Sequence, residues 1–378
     1  MIKFNKPSIT EIEEQCVLDA LHGSVLSGDG KYTDLVYEEF RKRFGIERML
    51  LTTSGTTALE MAAILSEIGP GDEVIVPSFT FSSTVNAILL RGAYPVFCDI
   101  RKDTWNMDET LIEDLITPKT KAIFTVDYAG IPCEMDTINE IAAKAGLLVV
   151  EDAAQAVGST YKGRYAGTLS ELGCYSFHET KNYGMGEGGG IVINAEQYMD
   201  RAEIIREKGT NRRQVIRGMV DKYSWHDLGS SFLPSDLLAA LLYAQMTRYE
   251  EIMEKRLLVW NTYMEELQSL EKDGLLGLPT VPEHVTHNGH MFNILLPSEE
   301  IRGEYSDKMR EKGMQPYICY VPLHTAPKGR ELGYREGMLP VTEDYGSRLM
   351  RLPLHACMTR EDALAVCEET KRILCSLV

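Results

Sequence analysis

A carboxylate, a lysine and a run of small hydroxyl residues each follow a short apolar segment of this chain. Asp152 comes after Leu147-Leu148-Val149-Val150 and Glu151. The apolar tetrad reads as a buried parallel strand, which puts Asp152 at a strand's carboxyl end, where open α/β sheets hold their ligands. Lys181 follows a second run, Cys174-Tyr175-Ser176-Phe177, and precedes the glycine cluster Gly186-Glu187-Gly188-Gly189. Thr53-Ser54-Gly55-Thr56-Thr57 follows a third and opens a helical pattern, so free backbone N–H groups and a helix dipole suit an anion there. Taken singly, Asp152 could cap a turn, Lys181 could be a solvated surface lysine, and Ser54-Gly55-Thr56 could be a simple N-cap. Together they supply what pyridoxal phosphate needs. The lysine forms a Schiff base with its aldehyde, the carboxylate keeps its pyridine nitrogen protonated, and the helix start cradles its phosphate. Pro77-Ser78-Phe79-Thr80-Phe81, after another strand, can set an aromatic face against a planar ring.

Placing these groups requires a sheet. The apolar runs predict strands over Met49 to Thr52, Glu73 to Val76, Pro95 to Cys98, Ala122 to Val126, Leu147 to Val150, Cys174 to Phe177 and Gly190 to Ile193. Most intervals are long enough for crossover helices, so the expected fold is α/β: a mainly parallel sheet with helices on both faces. Thr10-Glu11-Ile12-Glu13 has the capping-box pattern, and Ile12, Cys16, Val17, Ala20 and Leu21 can share one face of an opening helix. Val25 to Gly30 reads as a loop. One long helix is expected after Ser235-Asp236, running on into the charged Arg248 to Arg256 region. It would link a large domain, residues 1–247, to a smaller α+β domain, residues 248–378, in which a break from Gly274 to Pro282 precedes shorter segments.

The bulk properties narrow the function. The chain has 378 residues, 44% hydrophobic and 25% charged, which is the composition of an ordinary globular enzyme. A net charge of −17 disfavours nucleic acid as a partner. No apolar run is long enough to span a bilayer, and Met1-Ile2-Lys3-Phe4-Asn5-Lys6-Pro7 lacks the apolar core of a signal peptide, so the expected compartment is the cytoplasm. The eight cysteines form no CxxC pair, and neither a metal site nor a disulfide framework is expected.

Ser54-Gly55-Thr56, Glu151-Asp152-Ala153-Ala154-Gln155, Ser176-Phe177-His178 and Thr180-Lys181-Asn182 with the glycine cluster resemble the DegT/DnrJ/StrS-type nucleotide-sugar aminotransferases. Tyr320-Val321-Pro322-Leu323-His324 and Leu352-Pro353-Leu354-His355 extend the resemblance to nearly the whole chain. It implies the fold-type I, aspartate aminotransferase-like architecture of pyridoxal-phosphate enzymes. It also implies that Lys181 carries the cofactor covalently, Asp152 pairs with the pyridine nitrogen, Gln155 approaches the ring hydroxyl and Phe81 stacks on the ring. Ser54, Gly55 and Thr56 with Ser176 would cradle the phosphate. Family members are homodimers with shared active sites; where many offer a partner's asparagine to the phosphate, Gly229-Ser230-Ser231-Phe232 here offers Ser231. Asp127 stands where histidine is common.

His178 to Tyr183, Arg206 to Arg212 and Asp221 to Trp225 look most like the branch that moves the amino group of L-glutamate onto C-4 of dTDP-4-keto-6-deoxyglucose. Pyridoxamine phosphate would carry the amino group between half-reactions, and the product, dTDP-4-amino-4,6-dideoxygalactose, would serve surface polysaccharide synthesis. Lys208, Arg212, Lys222, Tyr223, Trp225 and His324 are candidate contacts to the sugar nucleotide; each could also be a solvated charge or a packing side chain. The alternatives are amination at C-3, dehydration of a sugar on the same scaffold, and a non-catalytic sensor. Dehydratases of this kind carry histidine in place of the lysine, so Lys181 argues against the second. Retention of lysine, aspartate and aromatic together argues against the third.

Overall fold

The computed structural model describes residues 1–377. Its central sheet has seven strands: β1 (Met49–Thr52), β2 (Glu73–Pro77), β3 (Tyr94–Cys98), β4 (Thr120–Val126), β5 (Leu148–Asp152), β8 (Leu172–Ser176) and β9 (Gly189–Ile193). The short strands β6 (Thr160–Tyr161) and β7 (Arg164–Tyr165) intervene and pair with β10 (Val285–Thr286). The order in the large sheet is β1-β9-β8-β5-β4-β2-β3. The pairs β2/β3, β2/β4, β4/β5 and β5/β8 are parallel, while β9 runs antiparallel to both β8 and β1. All seven strands read from the sequence are present, and the sheet is mainly parallel.

The central stretches of the strands are apolar because both faces are covered. Successive residues point to opposite sides. Leu50, Val74, Val76, Phe124, Val150 and Ile191 pack with Ala58, Leu59 and Ala62 of α3, and with Val85 and Ile88 of α4. Helix α3 is Gly55–Leu65 and α4 is Ser82–Leu89; they follow α1 (Glu11–His22) and α2 (Lys31–Phe44). On the other face Met49, Leu51, Tyr175 and Val192 meet Val36 and Phe40 of α2 and the helix Asp236–Thr247. Gly189 admits β9 beside the start of α3, since a Cβ there would lie 2.4 Å from the Ser54 carbonyl.

Helix α1 has the expected capping box, Thr10 with Glu13. Of its apolar face Ala20 is buried and Cys16 and Val17 are partly covered, whereas Ile12 and Leu21 are 44% and 51% exposed. The single long helix expected after Ser235 is two helices, Asp236–Thr247 and Tyr249–Lys272, broken at Arg248 with φ −106° and ψ 20°. Arg248 is buried there, its guanidinium tied to Glu13 (2.6 Å), the Ser8 carbonyl (3.1 Å) and Glu251 (3.0 Å). A polar net to the N-terminal segment thus surrounds the break that helix periodicity alone runs through. A three-stranded sheet follows, β11 (Phe292–Leu295), β12 (Tyr317–Ile318) and β13 (Leu349–Leu352), with β13 in the centre. No helix among the described residues is long and apolar enough to cross a membrane.

Candidate active site

Segments at the carboxyl ends of β1, β2, β4, β5 and β8 converge on one cleft of about 610 Å³. Tyr317, Tyr320, Arg351, Leu352 and Leu354 supply another wall, and Phe4 and Asn5 of the N-terminal segment also line it.

Asp152 is the last residue of β5 and is 6% exposed. Its carboxylate accepts hydrogen bonds from Thr84 Oγ1 (2.8 Å) and the Ala154 N–H (3.1 Å). Burial raises its pKa, and these two donors and the charge on Lys181 work against that rise. Its neighbour Glu151, also fully buried, faces the other side of the strand. There it accepts from the Gly167 and Leu169 N–H groups (2.6 and 2.9 Å). Of the adjacent acids, only Asp152 lines the cleft.

Lys181 lies in the turn after β8. Three backbone hydrogen bonds, Phe177 N to Gly188 O, Glu179 N to Gly186 O and Met185 N to Phe177 O, each 2.8 Å, fix that turn. Asn182 Nδ2 anchors it further on the Asn288 carbonyl (2.8 Å). Burial lowers the Lys181 pKa to about 8; the charge of Asp152 opposes the shift and that of Arg351 adds to it. Burial thus makes the neutral amine far more accessible near physiological pH than it is in a solvated lysine.

Ser54 caps α3, its hydroxyl accepting from Thr57 N–H (3.1 Å) while Thr57 Oγ1 accepts from Ser54 N–H (2.9 Å). The Ser54 hydroxyl accepts in the cap and keeps its own O–H to donate, and the first helical N–H groups, at Gly55 and Thr56, have no intrahelical acceptor, so these donors suit an anion. A Cβ on Gly55 would lie 2.7 Å from Ser176 Cβ, so glycine is what brings the helix start against β8. Gln155 spans two walls: its Oε1 accepts from Ala129 N–H (2.7 Å) and its Nε2 donates to Tyr320 Oη (2.8 Å). Phe81 lines the cleft and is 59% exposed. A helix-start anion cradle, a lysine with a depressed pKa and a hydrogen-bonded carboxylate in one cleft fit pyridoxal phosphate. Lys181 could hold it, Asp152 could meet its ring nitrogen, and Ser54, Gly55, Thr56 and Ser176 could bind its phosphate.

The remaining sequence candidates lie elsewhere. His324 is corrected as a substrate contact: it is fully buried, with Nδ1 on Ser78 Oγ and Nε2 on Glu343 Oε1, both 2.8 Å, so neither ring nitrogen is free. Ser231, Lys208, Arg212, Lys222, Tyr223 and Trp225 do not line this cleft. Lys208 and Arg212 lie 3.7 and 3.1 Å from Glu207, Ser231 forms a bridge with Glu207, and Trp225 Nε1 donates to the Asp227 carbonyl (2.7 Å). The sequence reading missed Thr84, Tyr320, Arg256 and Arg351. Thr84 carries no signal, being 68 residues from the carboxylate it serves. Arg351 stands directly before the Leu352-Pro353-Leu354-His355 motif, and Tyr320 opens the other C-terminal motif. Among the described residues no cluster of three or more His, Cys, Asp or Glu could hold a metal ion.

A profile of the DegT/DnrJ/EryC1/StrS aminotransferase family matches residues 7–371. The chain is 32% identical to the GDP-perosamine synthase of Escherichia coli O157:H7 over 96% of each chain. It is 30% identical to the dTDP-4-dehydro-2,3,6-trideoxy-D-glucose 4-aminotransferase of Saccharopolyspora spinosa over 98% of this chain and 96% of that one. Spr1654 of Streptococcus pneumoniae in its PMP form superposes with a TM-score of 0.94 at 26% identity, each chain covered completely. The PLP form of the same protein gives 0.92 at 26% identity, over 100% of this chain and 99% of that one.

Proposed function

Because the chain belongs to the DegT/DnrJ/EryC1/StrS aminotransferase family, we propose that it transfers the amino group of L-glutamate to C-4 of dTDP-4-keto-6-deoxyglucose. The product is dTDP-4-amino-4,6-dideoxygalactose, destined for a surface polysaccharide. Bound pyridoxal phosphate supplies the electron sink and the amino-group carrier. The observation that carries the reading is Lys181: an amine with its pKa lowered to about 8, in the same cleft as Asp152 and the start of α3. Its Nζ moves a proton at the α-carbon of the donor in one half-reaction and at C-4 of the sugar in the other. Asp152, held by Thr84 and Ala154, keeps a negative charge at the ring nitrogen.

Residues 1–247 act as the cofactor-holding domain and 248–378 as the small domain. The working unit is a homodimer in which Ser231 and its neighbours serve the partner's site. Support comes from exposed apolar side chains on and after α1, among them Leu18 (52%), Val25 (46%) and Leu26 (46%), and on the 216–228 segment, among them Ile216 (69%) and Leu228 (50%). The S. spinosa relative, whose name specifies a dTDP-linked sugar and a 4-aminotransferase, favours C-4 and dTDP. The E. coli relative, whose name carries GDP, favours a GDP-linked sugar as the second reading. Enzyme incubated with L-glutamate and each keto sugar, followed by NMR of the product, tests the choice. An axial amine at C-4 of the dTDP sugar is expected. Turnover of the 3-keto isomer alone would overturn the C-4 assignment and leave an aminotransferase.

A further inference from the structure

We propose that Asp127 is a positioning residue that shares one proton with Glu151, and that this proton clamps the strand end carrying Asp152 to the turn that holds Gln155. The proposal rests on the cleft as the cofactor's site and is independent of which sugar is aminated.

Asp127 directly follows β4, and its N–H donates to the Asp152 carbonyl at the end of β5 (3.1 Å). Val126 pairs in register with Asp152, and both line the cleft. Alternation along the two strands turns Asp127 and Glu151 to the opposite face, where both are fully buried. The Asp127 carboxyl is engaged on one side only. Its Oδ1 accepts from the Cys133 N–H (3.1 Å) and so closes the turn between them, while its Oδ2 is enclosed and receives no N–H or O–H. Glu151 differs, since each of its oxygens receives a backbone N–H, from Gly167 and from Leu169.

A buried carboxylate oxygen without a hydrogen bond is costly, and two adjoining buried carboxylates cannot both stay charged. One proton answers both demands if Asp127 carries it on Oδ2 and donates it toward Glu151, whose negative charge the two backbone donors stabilise. The pKa directions agree. Burial, and then the charge of Glu151, push Asp127 well above the ordinary carboxyl range. Burial raises Glu151 too, but hydrogen bonds from Asp127, Gly167 and Leu169 and the charge of Arg164 on β7 oppose that rise. The other titratable groups facing the pair are Asp152, whose charge adds to the rise at Asp127, and Cys133, Cys174 and Tyr175, which burial keeps neutral.

The turn matters to the cleft because Ala129, whose N–H donates to Gln155 Oε1 (2.7 Å), sits at φ 59°. An alanine in the left-handed region is strained, so this turn depends on its anchors. Loss of the shared proton to solvent leaves two carboxylates in contact beneath the cleft. Their repulsion acts on β5 one residue before Asp152 and on the turn that holds Gln155. Since the native pKa of Asp127 is raised, the stability it contributes is complete below its ordinary value and is lost as pH rises toward the native one.

The test compares cofactor-loaded wild type, Asp127→Asn and Glu151→Gln. The amide of Asp127→Asn donates to Glu151 and accepts from Cys133 as the protonated carboxyl does, but does not titrate. Glu151→Gln must turn its NH2 toward the Gly167 or the Leu169 N–H, leaving a donor unpaired. In urea unfolding above mildly acid pH, Asp127→Asn should be the more stable chain. The wild-type unfolding constant should rise against it about 10-fold per pH unit, the slope of one proton. Cofactor affinity, by equilibrium dialysis, should fall about 10-fold further in wild type than in Asp127→Asn at alkaline pH. Lys181 titrates in both proteins, so the difference isolates Asp127. Infrared spectra of protein isotope-labelled at the aspartate carboxyls should show, at neutral pH, a protonated-carboxyl stretch in wild type that Asp127→Asn lacks. Glu151→Gln should lose stability and about 10-fold in cofactor affinity at every pH. Parallel unfolding curves, or identical infrared spectra, would overturn the shared proton. Stability curves that diverge while cofactor affinities stay equal would overturn the positioning role. All of these readouts report the fold or the cofactor, so an enzyme inert toward every keto sugar would sink the substrate reading alone.

Discussion

Asp152 and Trp225 sit at opposite extremes of constraint. Asp152 ends a strand flanked on both sides by parallel neighbours, is 6% exposed and holds two donors. Trp225 is 80% exposed, in a segment folded back on itself through isolated bridges, Glu207 to Ser231 and Thr210 to Trp225. The same contrast separates the whole cleft from residues 207–231. In the cleft each group is fixed by sheet register, a cap or a turn, so its position follows from the fold of one chain. In the outer segment Ile216, Tyr223, Trp225 and Leu228 are exposed, and none of them lines the cleft. Under the proposed function, chemistry sits on a fixed backbone, and recognition falls to a surface that a second copy would complete.

Substitutions in the two regions should differ accordingly. Asp152→Asn removes the charge opposite the ring nitrogen while keeping an acceptor for Thr84; turnover should fall about 10²–10³-fold with the fold intact. Near-normal turnover with full cofactor occupancy would remove Asp152 from its role. Gly55→Ala puts a methyl group 2.7 Å from Ser176 Cβ. The start of α3 must then shift, and cofactor affinity, read by equilibrium dialysis, should fall about 10- to 100-fold. Trp225→Ala should change chain stability by less than about 0.5 kcal/mol in urea unfolding, while weakening binding of the sugar nucleotide in the dimer. A large stability loss there would erase the distinction between the regions.

How much could be read from the sequence follows the same division. The strands of the large sheet were legible because burial on both faces forces apolar runs, as in Met49 to Thr52 and Cys174 to Phe177, the second of which forms a strand that starts two residues earlier, at Leu172, and ends at Ser176. Asp152, Lys181 and Gly55 were legible because each follows such a run. The break at Arg248 was not, since it sits within a helical pattern and its guanidinium partners include residues more than 200 positions away. His324 misled for a related reason: a histidine beside a proline-containing motif looks available until Ser78, 246 residues earlier, and Glu343 take its two nitrogens. Asp127 could be recognised as facing Glu151 only once its surroundings were seen in three dimensions.

The pKa of Lys181 gives the account a pH dependence with a definite sign. In apo protein, labelling of Lys181 by a small amine-reactive reagent should rise with pH around a midpoint of about 8, because burial favours the neutral amine, whereas a solvated lysine titrates about two units higher. The most direct test of the central claim is borohydride reduction of the cofactor-loaded enzyme followed by peptide mapping. The account predicts the reduced pyridoxyl label on the peptide containing Lys181, absent from Lys181→Ala. Label on a different lysine of the wild-type chain would contradict it.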